Sequence, residues 1–327
     1  TFQRLIDIVI SGLPFVFAYM DDLIIYSEDP EQHRQHIRQV FQRLDEYGLL
    51  VNPSKCVFGQ KSMEFLGFVV DAEGIRPMPD NIRVINDFPP PTDVNGIRRY
   101  LGVVNHYRRF LPKAADLLKP LTDALKVDKS LDSSQSINRR IVFRWSSAMQ
   151  QAFEASKAAL VNPPVLVHPD TSCPLSLLTD ASDTGAGAVL QQYQGTGWVP
   201  LEYWSTKFNS AERKYSAFDR ELTAIYLALK HFRFLIEGRE FTLYTDHKPI
   251  IHAVSRVSPP LNARQERQLA YISEFTSDIR HISGNNNIVA DMLSRLPISR
   301  TFGTQTEPIL PTDDPTDIQQ VPTDAGF

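Results

Sequence analysis

A chain of 327 residues, 42% hydrophobic and 22% charged, is long enough for two or three domains with proper cores and has the composition of an ordinary globular protein. Its formal charge is −4, yet residues 1–170 and 171–297 are each balanced, and the last thirty, with one basic side chain (Arg300) and five acidic ones, carry the whole excess. Bulk charge therefore neither supports nor excludes a nucleic-acid partner, Cys56 and Cys173 lack the spacing of a disulfide framework or zinc cluster, and no apolar run approaches a membrane span.

The chain opens on Thr1 without a signal peptide, so it is expected to begin inside a longer reading frame, or to have been processed or cloned to begin there, and not to be secreted. Phe15–Ala18 and Leu23–Tyr26 are short β-prone runs flanking Tyr19, Met20, Asp21 and Asp22, which predicts a hairpin with the acidic pair at its tip. A helix follows, capped by Asp29, with Pro30 at its first position, an apolar stripe of Ile37, Val40, Phe41, Leu44 and Tyr47, and Gly48 at its end. His33 and His36 fall on its polar side and are expected at the surface. Met63–Val70 reads as one strand, and Pro89–Pro91 as a boundary or stiff joint.

Residues 97–124 read as helical and basic, 126–140 as loop, and 148–160 as helix. Strands are expected at 175–179, 187–191, 201–203, 240–245 and 278–282. Helices are expected at 217–237, after Arg264, and at 288–296. From Ile298 onward Pro, Thr and Asp dominate, the composition of a disordered tail. Trp145 and Trp204 have no polar constellation nearby and are expected to pack.

Four carboxylates stand out. Asp180 and Asp246 end apolar strands, where strand ends converge. Glu221 shares a helix face with Phe218, Leu222, Ile225, Leu229 and Phe232, and Asp291 repeats the pattern three residues after Ile288. A carboxylate aimed at a core is costly unless compensated. Each taken alone is as well explained by turns, caps or arginine pairing. Together they suit a pair of Mg²⁺ ions ~4 Å apart, which would neutralise them and clamp a phosphodiester. Hard oxygen ligands favour Mg²⁺, with Mn²⁺ as substitute, over zinc.

TDAS at 179–182, AVLQQ at 188–192, REL at 220–222, TDHKPI at 245–250 and HISGNNNIVADMLSR at 281–295 resemble, in this order, the ribonuclease H of gypsy-type long-terminal-repeat retrotransposons. The resemblance implies hydrolysis of the RNA strand of RNA–DNA hybrids, with Asp180, Glu221, Asp246 and Asp291 as catalytic metal ligands. Cellular ribonucleases H carry a mobile histidine in a Gly-His setting. Here that setting reads Gly284-Asn285, and His281 sits earlier, as a structural histidine or a partial substitute.

Upstream, FAYMDDLIIYS and GLLVNPSKCVFGQKSMEFLGFVV resemble a reverse transcriptase palm, in the order of a gypsy-type Pol polyprotein. That implies Asp21 and Asp22 as catalytic metal ligands, Tyr19 and Met20 beside a primer terminus, Phe65-Leu66-Gly67 as primer grip, and Lys55 as the proton donor to pyrophosphate. The third palm carboxylate and the fingers lie upstream of YMDD in the family, in a segment absent here, so RNA-directed DNA polymerase activity is not expected of this fragment alone. Residues 97–113 interleave Arg98, Arg99, Arg108, Arg109 and Lys113 with Tyr100, His106, Tyr107 and Phe110. Such a stretch is either an amphipathic helix with a solvated cationic side or a template–primer contact, and the resemblance to a thumb and connection favours the second.

The expected architecture is α/β: an α+β truncated palm (1–75), a thumb and connection (76–170), a ribonuclease H-like mixed-sheet domain (171–297) and an acidic tail (298–327). Implied partners are an RNA–DNA hybrid, a template–primer and the rest of the polyprotein, from upstream palm and fingers to downstream integrase. The implied place is a virus-like particle in the cytoplasm, or the nucleus. The rivals are a polymerase active only in the full polyprotein and a non-catalytic nucleic-acid-binding relic.

Overall fold

The structure, a computed structural model, describes residues 2–129, 144–195, 197–254 and 261–283. The chain divides into two units, Thr1–Met63 and Glu64–Phe327. Asp291, its expected helix, the Gly284-Asn285 setting, the acidic tail and most of the expected 126–140 loop lie outside the described residues.

The first unit begins with α1 (Phe2–Val9), a helix the sequence reading missed. Strands β1 (Val16–Tyr19) and β2 (Asp22–Ile25) pair antiparallel with Tyr19 opposite Asp22, so Met20 and Asp21 form a two-residue turn. Met20 takes φ +51°, the left-handed region that a non-glycine residue enters at a cost. Its amide donates to the Gln3 side chain at 2.6 Å, which ties the turn to α1. Helix α2 (Pro30–Glu46) starts where expected, its first amides bonded to the Asp29 carboxylate. Val9, Val40 and Leu44 form a small core. His33 and His36 are half-buried rather than surface residues. Both share hydrogen bonds with the Ser27 hydroxyl, and His36 lies flat against Phe15, ring centroids 3.5 Å apart.

The division between units falls inside β3 (Ser62–Phe65). The single strand expected at 63–70 is in fact two, β3 and β4 (Phe68–Asp71), because Leu66 and Gly67 take φ +50° and +84° and turn the chain back. β5 (Gly74–Pro77) completes the meander, and Ile75 bridges to Leu166. A Cβ on Gly74 would meet the Leu166 carbonyl oxygen at 2.3 Å, so only glycine fits that crossing. Next come α3 (Pro79–Asn86), α4 (Val94–His106), α5 (Ala114–Leu117), α6 (Lys119–Lys129) and α7 (Ser147–Val161). The basic stretch is thus not one helix. Pro112 cannot continue a helix, and Lys113 turns at φ +55° before α5 begins.

A five-stranded mixed sheet follows. β6 (Leu175–Ala181), β7 (Gly185–Tyr193) and β8 (Trp198–Lys207) form an antiparallel meander, α8 (Ala217–Ile236) crosses over, and β9 (Phe241–Thr245) returns parallel to β6. α9 (Lys248–Val254), also missed, and α10 (Ala263–Phe275) lead to β10 (Ile279–His281), parallel to β9. The strand order is β10-β9-β6-β7-β8.

Two large cores support this unit. One lies between the sheet and α8, α9 and α10, with Leu177, Leu243, Ile225, Leu229 and Phe232 at its centre. The other gathers α3 to α7 around Tyr100, Phe110, Leu121 and Phe153, with Trp145 packed on it. Trp204 of β8 stacks on His231, as a packing residue does.

Candidate active site

The parallel return of β9 beside β6 decides the site. A crossover connection puts the C-terminal ends of parallel strands side by side, so Asp180 near the end of β6 and Asp246 just past β9 become neighbours. α8 crosses over the sheet with its apolar face inward. Glu221, on that face beside Leu222 and Ile225, therefore points at the same strand ends. Ligand atoms of Asp180, Glu221 and Asp246 all lie within 4.8 Å of one another.

The electrostatics of this cluster are unbalanced. Asp180 and Glu221 are 6% and 7% exposed. Glu221 accepts one hydrogen bond, from the Ala181 amide at 3.2 Å, and its buried Oε2 has no hydrogen-bond partner among the described residues. Burial first, then the charges of Asp180 and Asp246, push the Glu221 carboxyl up from 4.5 to about 9, against the smaller pull of the Ala181 amide. At neutral pH the bare cluster thus holds a proton on Glu221. A divalent cation would replace that proton, satisfy the orphaned oxygen and offset the repulsion, so the donor set fits a hard, oxygen-liganded ion.

Several neighbours escaped the sequence reading. Arg220 pairs with Asp183 at 2.5 Å. Arg264 reaches across from α10 to Asp219 at 2.5 Å and lies over the Tyr215 ring, 3.8 Å from its centroid. The Arg264 contacts steady the start of α8, just ahead of Glu221. His247 is half-buried beside Asp246, and burial lowers its pKa while the aspartate raises it. No local sequence signal marks these partners, because they are brought together only by the fold. His281 sits at the exposed end of β10, paired in register with Thr245.

The other residues singled out in the sequence are dispersed. Tyr19, Met20, Asp21 and Asp22 are all exposed on the hairpin, and Lys55 lies in an exposed 3₁₀ turn. Among the described residues no third metal-type side chain joins Asp21 and Asp22. Phe65 ends β3, while Leu66 and Gly67 form a turn rather than a strand. That turn is gripped by the end of α4: the Leu66 carbonyl bonds His106 Nε2 at 3.1 Å, and the Gly67 carbonyl accepts from the Tyr107 hydroxyl at 3.3 Å.

The basic stretch is largely spoken for. Tyr100, Tyr107 and Phe110 are buried in the helical core and present no face to a base. Arg108 donates to the Ser205 carbonyl on β8 at 2.8 Å, and burial lowers its pKa. Arg109 lies 3.7 Å from Glu202, Arg98 bonds Asn95, and Lys113 is buried. Arg99 remains on the exposed side of α4.

Comparison with known proteins adds to this geometry. Residues 145–243 match the family described as the RNase H-like domain found in reverse transcriptase, and residues 1–70 match reverse transcriptase (RNA-dependent DNA polymerase). The Transposon Tf2-3 and Tf2-7 polyproteins of Schizosaccharomyces pombe are each 35% identical to the chain over 284 residues. That alignment takes in 86% of this chain and 20% of each polyprotein, so the chain spans about a fifth of those relatives. Among solved structures, a foamy viral protease-reverse transcriptase in complex with an RNA/DNA hybrid aligns at TM-score 0.69 and 21% identity, over 94% of this chain and 40% of that one. The same viral protein in complex with double-stranded DNA aligns at 0.67 and 22%, over 86% and 57%. The likeness to these structures is one of fold.

Proposed function

We propose, for a chain that belongs to the gypsy-type long-terminal-repeat retrotransposon polyproteins with reverse transcriptase and ribonuclease H-like domains, that its second unit hydrolyses the RNA strand of RNA–DNA hybrids. The observation that carries this reading is the convergence of Asp180, Glu221 and Asp246, with a buried Glu221 oxygen left without a partner among the described residues.

Asp180, Glu221 and Asp246 would hold Mg²⁺ or Mn²⁺, with Asp291 as a fourth ligand. Bound there, the ions supply an activated water and charge neutralisation for the attacking and leaving oxygens of a phosphodiester. The chain's own part is to bind and aim. Buried Asp180 and Glu221 fix the position of the charge, and the Ala181 amide orients the Glu221 carboxylate. Rigid strand ends limit how far the carboxylates separate, which is what metal-assisted chemistry needs from its ligands. The products would be a 3′-hydroxyl and a 5′-phosphate. The foamy viral relative in complex with an RNA/DNA hybrid supports the same substrate class here.

On the same reading Asp21 and Asp22 are the palm's metal ligands, with Tyr19 and Met20 at the primer terminus, within a polyprotein that acts in a virus-like particle. The described residues bring no third carboxylate to that pair, so the chain alone is expected not to extend a primer. Incubation of the chain with a labelled RNA–DNA hybrid and Mg²⁺ tests the nuclease reading. Cutting is expected from the parent and not from Asp180→Asn. Equal cutting by both would refute the site. Primer extension by the chain would refute the view of the palm.

A further inference from the structure

The turn that follows Asp180 is fastened from outside its own sheet. Ser182, Asp183 and Thr184 link β6 to β7, and Ser182 organises the turn locally, its hydroxyl accepting from the Thr184 and Gly185 amides at 3.2 and 3.0 Å. The Thr184 hydroxyl then donates to Asp116 Oδ1 at 2.7 Å, across 68 residues of sequence. Asp116 is the polar residue of α5, whose other members, Ala114, Ala115 and Leu117, are buried.

The anchor is itself firmly seated. The Ala115 amide donates to Ser205 Oγ at 3.0 Å, and Arg108 donates to the Ser205 carbonyl from the segment before it. On the sheet side, the Phe208 amide donates to the Thr184 carbonyl at 2.9 Å. A Cβ on Gly185 would meet the Thr206 carbonyl oxygen at 2.4 Å, so β7 is pressed against β8 where the turn ends. The other outside tie, Arg220 to Asp183, ends on an aspartate side chain 84% exposed, and such a pair contributes little. A half-buried hydroxyl-to-carboxylate bond is the stronger constraint.

We infer that Asp116 is a positioning residue for the carboxylate cluster: by holding Thr184 it fixes the β6–β7 turn, and with it the Ala181 amide that orients Glu221. The helical segment before the sheet is then a working part of the nuclease rather than a tether. This rests on the nuclease reading given above. The bond to a charged acceptor is of a size that, when lost, changes a local opening equilibrium roughly tenfold.

The test uses the full chain with Asp116→Ala, Asp116→Asn and Thr184→Val. Amide hydrogen exchange is followed at Ala181, with Leu243 on β9 as internal reference, and the Mg²⁺ concentration for half-maximal hybrid cleavage is measured beside KM. Asp116→Ala and Thr184→Val are expected to speed exchange at Ala181 roughly tenfold relative to Leu243 and to raise the Mg²⁺ requirement several-fold with KM unchanged. Asp116→Asn, which keeps an acceptor oxygen, is expected to restore both. Unchanged Ala181 exchange in the two disruptive variants overturns the inference, and so does faster exchange with an unaltered Mg²⁺ requirement. If Asp116→Ala fails to fold, Thr184→Val, a near-isosteric change in a half-buried turn, decides alone. If the parent does not cut at all, the nuclease reading fails, while the exchange data still decide whether Asp116 fixes the turn.

Discussion

Two regions of this chain carry closely set carboxylates, and they differ in every physical respect. Asp21 and Asp22 are neighbours in sequence, exposed on a two-residue turn, with no third metal-type group beside them among the described residues. Asp180, Glu221 and Asp246 are far apart in sequence; Asp180 and Glu221 are buried and Asp246 half-buried, and burial together with the neighbouring charges raises the Glu221 carboxyl. Adjacency in sequence costs nothing to arrange and implies little. Convergence of buried charge is unfavourable unless a proton or a bound cation offsets it.

Removing single ligands should give the largest effects. Asp180→Asn, Glu221→Gln and Asp246→Asn are expected to lower Mg²⁺-dependent hybrid cleavage on the order of 10³-fold, while Asp21→Asn and Asp22→Asn leave it within about twofold. Turnover on a labelled hybrid measures both. Equal losses in the two groups would erase the contrast.

Stability should follow the same division. Phe232 is fully buried in the sheet core, and Phe232→Ala is expected to cost roughly 3–5 kcal/mol in urea unfolding. Phe17 is 52% exposed on the hairpin, and Phe17→Ser is expected to stay within about 0.5 kcal/mol.

The raised Glu221 carboxyl gives a pH signature. Between 4.5 and about 9 the metal-free native state holds a proton that the unfolded state has released, so stability falls as pH rises through that window. Thermal unfolding of the metal-free chain is expected to drop by several degrees from pH 6 to pH 9, and Mg²⁺ to recover more at the upper end. Glu221→Gln is expected to flatten the slope. A parent whose melting temperature is level across the window would show that burial and the neighbouring carboxylates do not raise Glu221 as the geometry requires.

The basic stretch sharpens the comparison at smaller scale. Arg108→Met is expected to cost about 1–3 kcal/mol of stability, because the Ser205 carbonyl loses a charged donor, and to leave the salt dependence of hybrid binding unchanged. Arg99→Ala is expected to do the opposite, with stability intact and the salt slope reduced by about 1. Binding titrations at several salt concentrations, read beside unfolding curves, separate the two arginines.

Much of the local structure was legible because its causes are local. Asp29, Pro30 and Gly48 bracket α2, and the apolar period of α8 placed Glu221 on the inner face. The misreadings also have local causes. Met63–Val70 looks like one apolar strand, and only the backbone shows that Leu66 joins Gly67 at positive φ. The interleaved arginines and aromatics of residues 97–113 fit a nucleic-acid face as well as a helix packed on one side. Burial assigns Tyr100, Tyr107 and Phe110 to packing, while Arg99 stays on the exposed side of α4.

The sequence by itself determined many of the elements, the inward face of Glu221 and the strand-end positions of Asp180 and Asp246. Periodicity, caps and motifs depend on neighbours a few residues away. Only the tertiary structure decided that three separate carboxylates meet, that Arg108 serves a backbone carbonyl, and that Asp116 reaches the turn beside the site. The parallel pairing of β6 with β9 and the docking of α5 on β8 bring these groups together across long stretches of chain, and no local pattern encodes such distances.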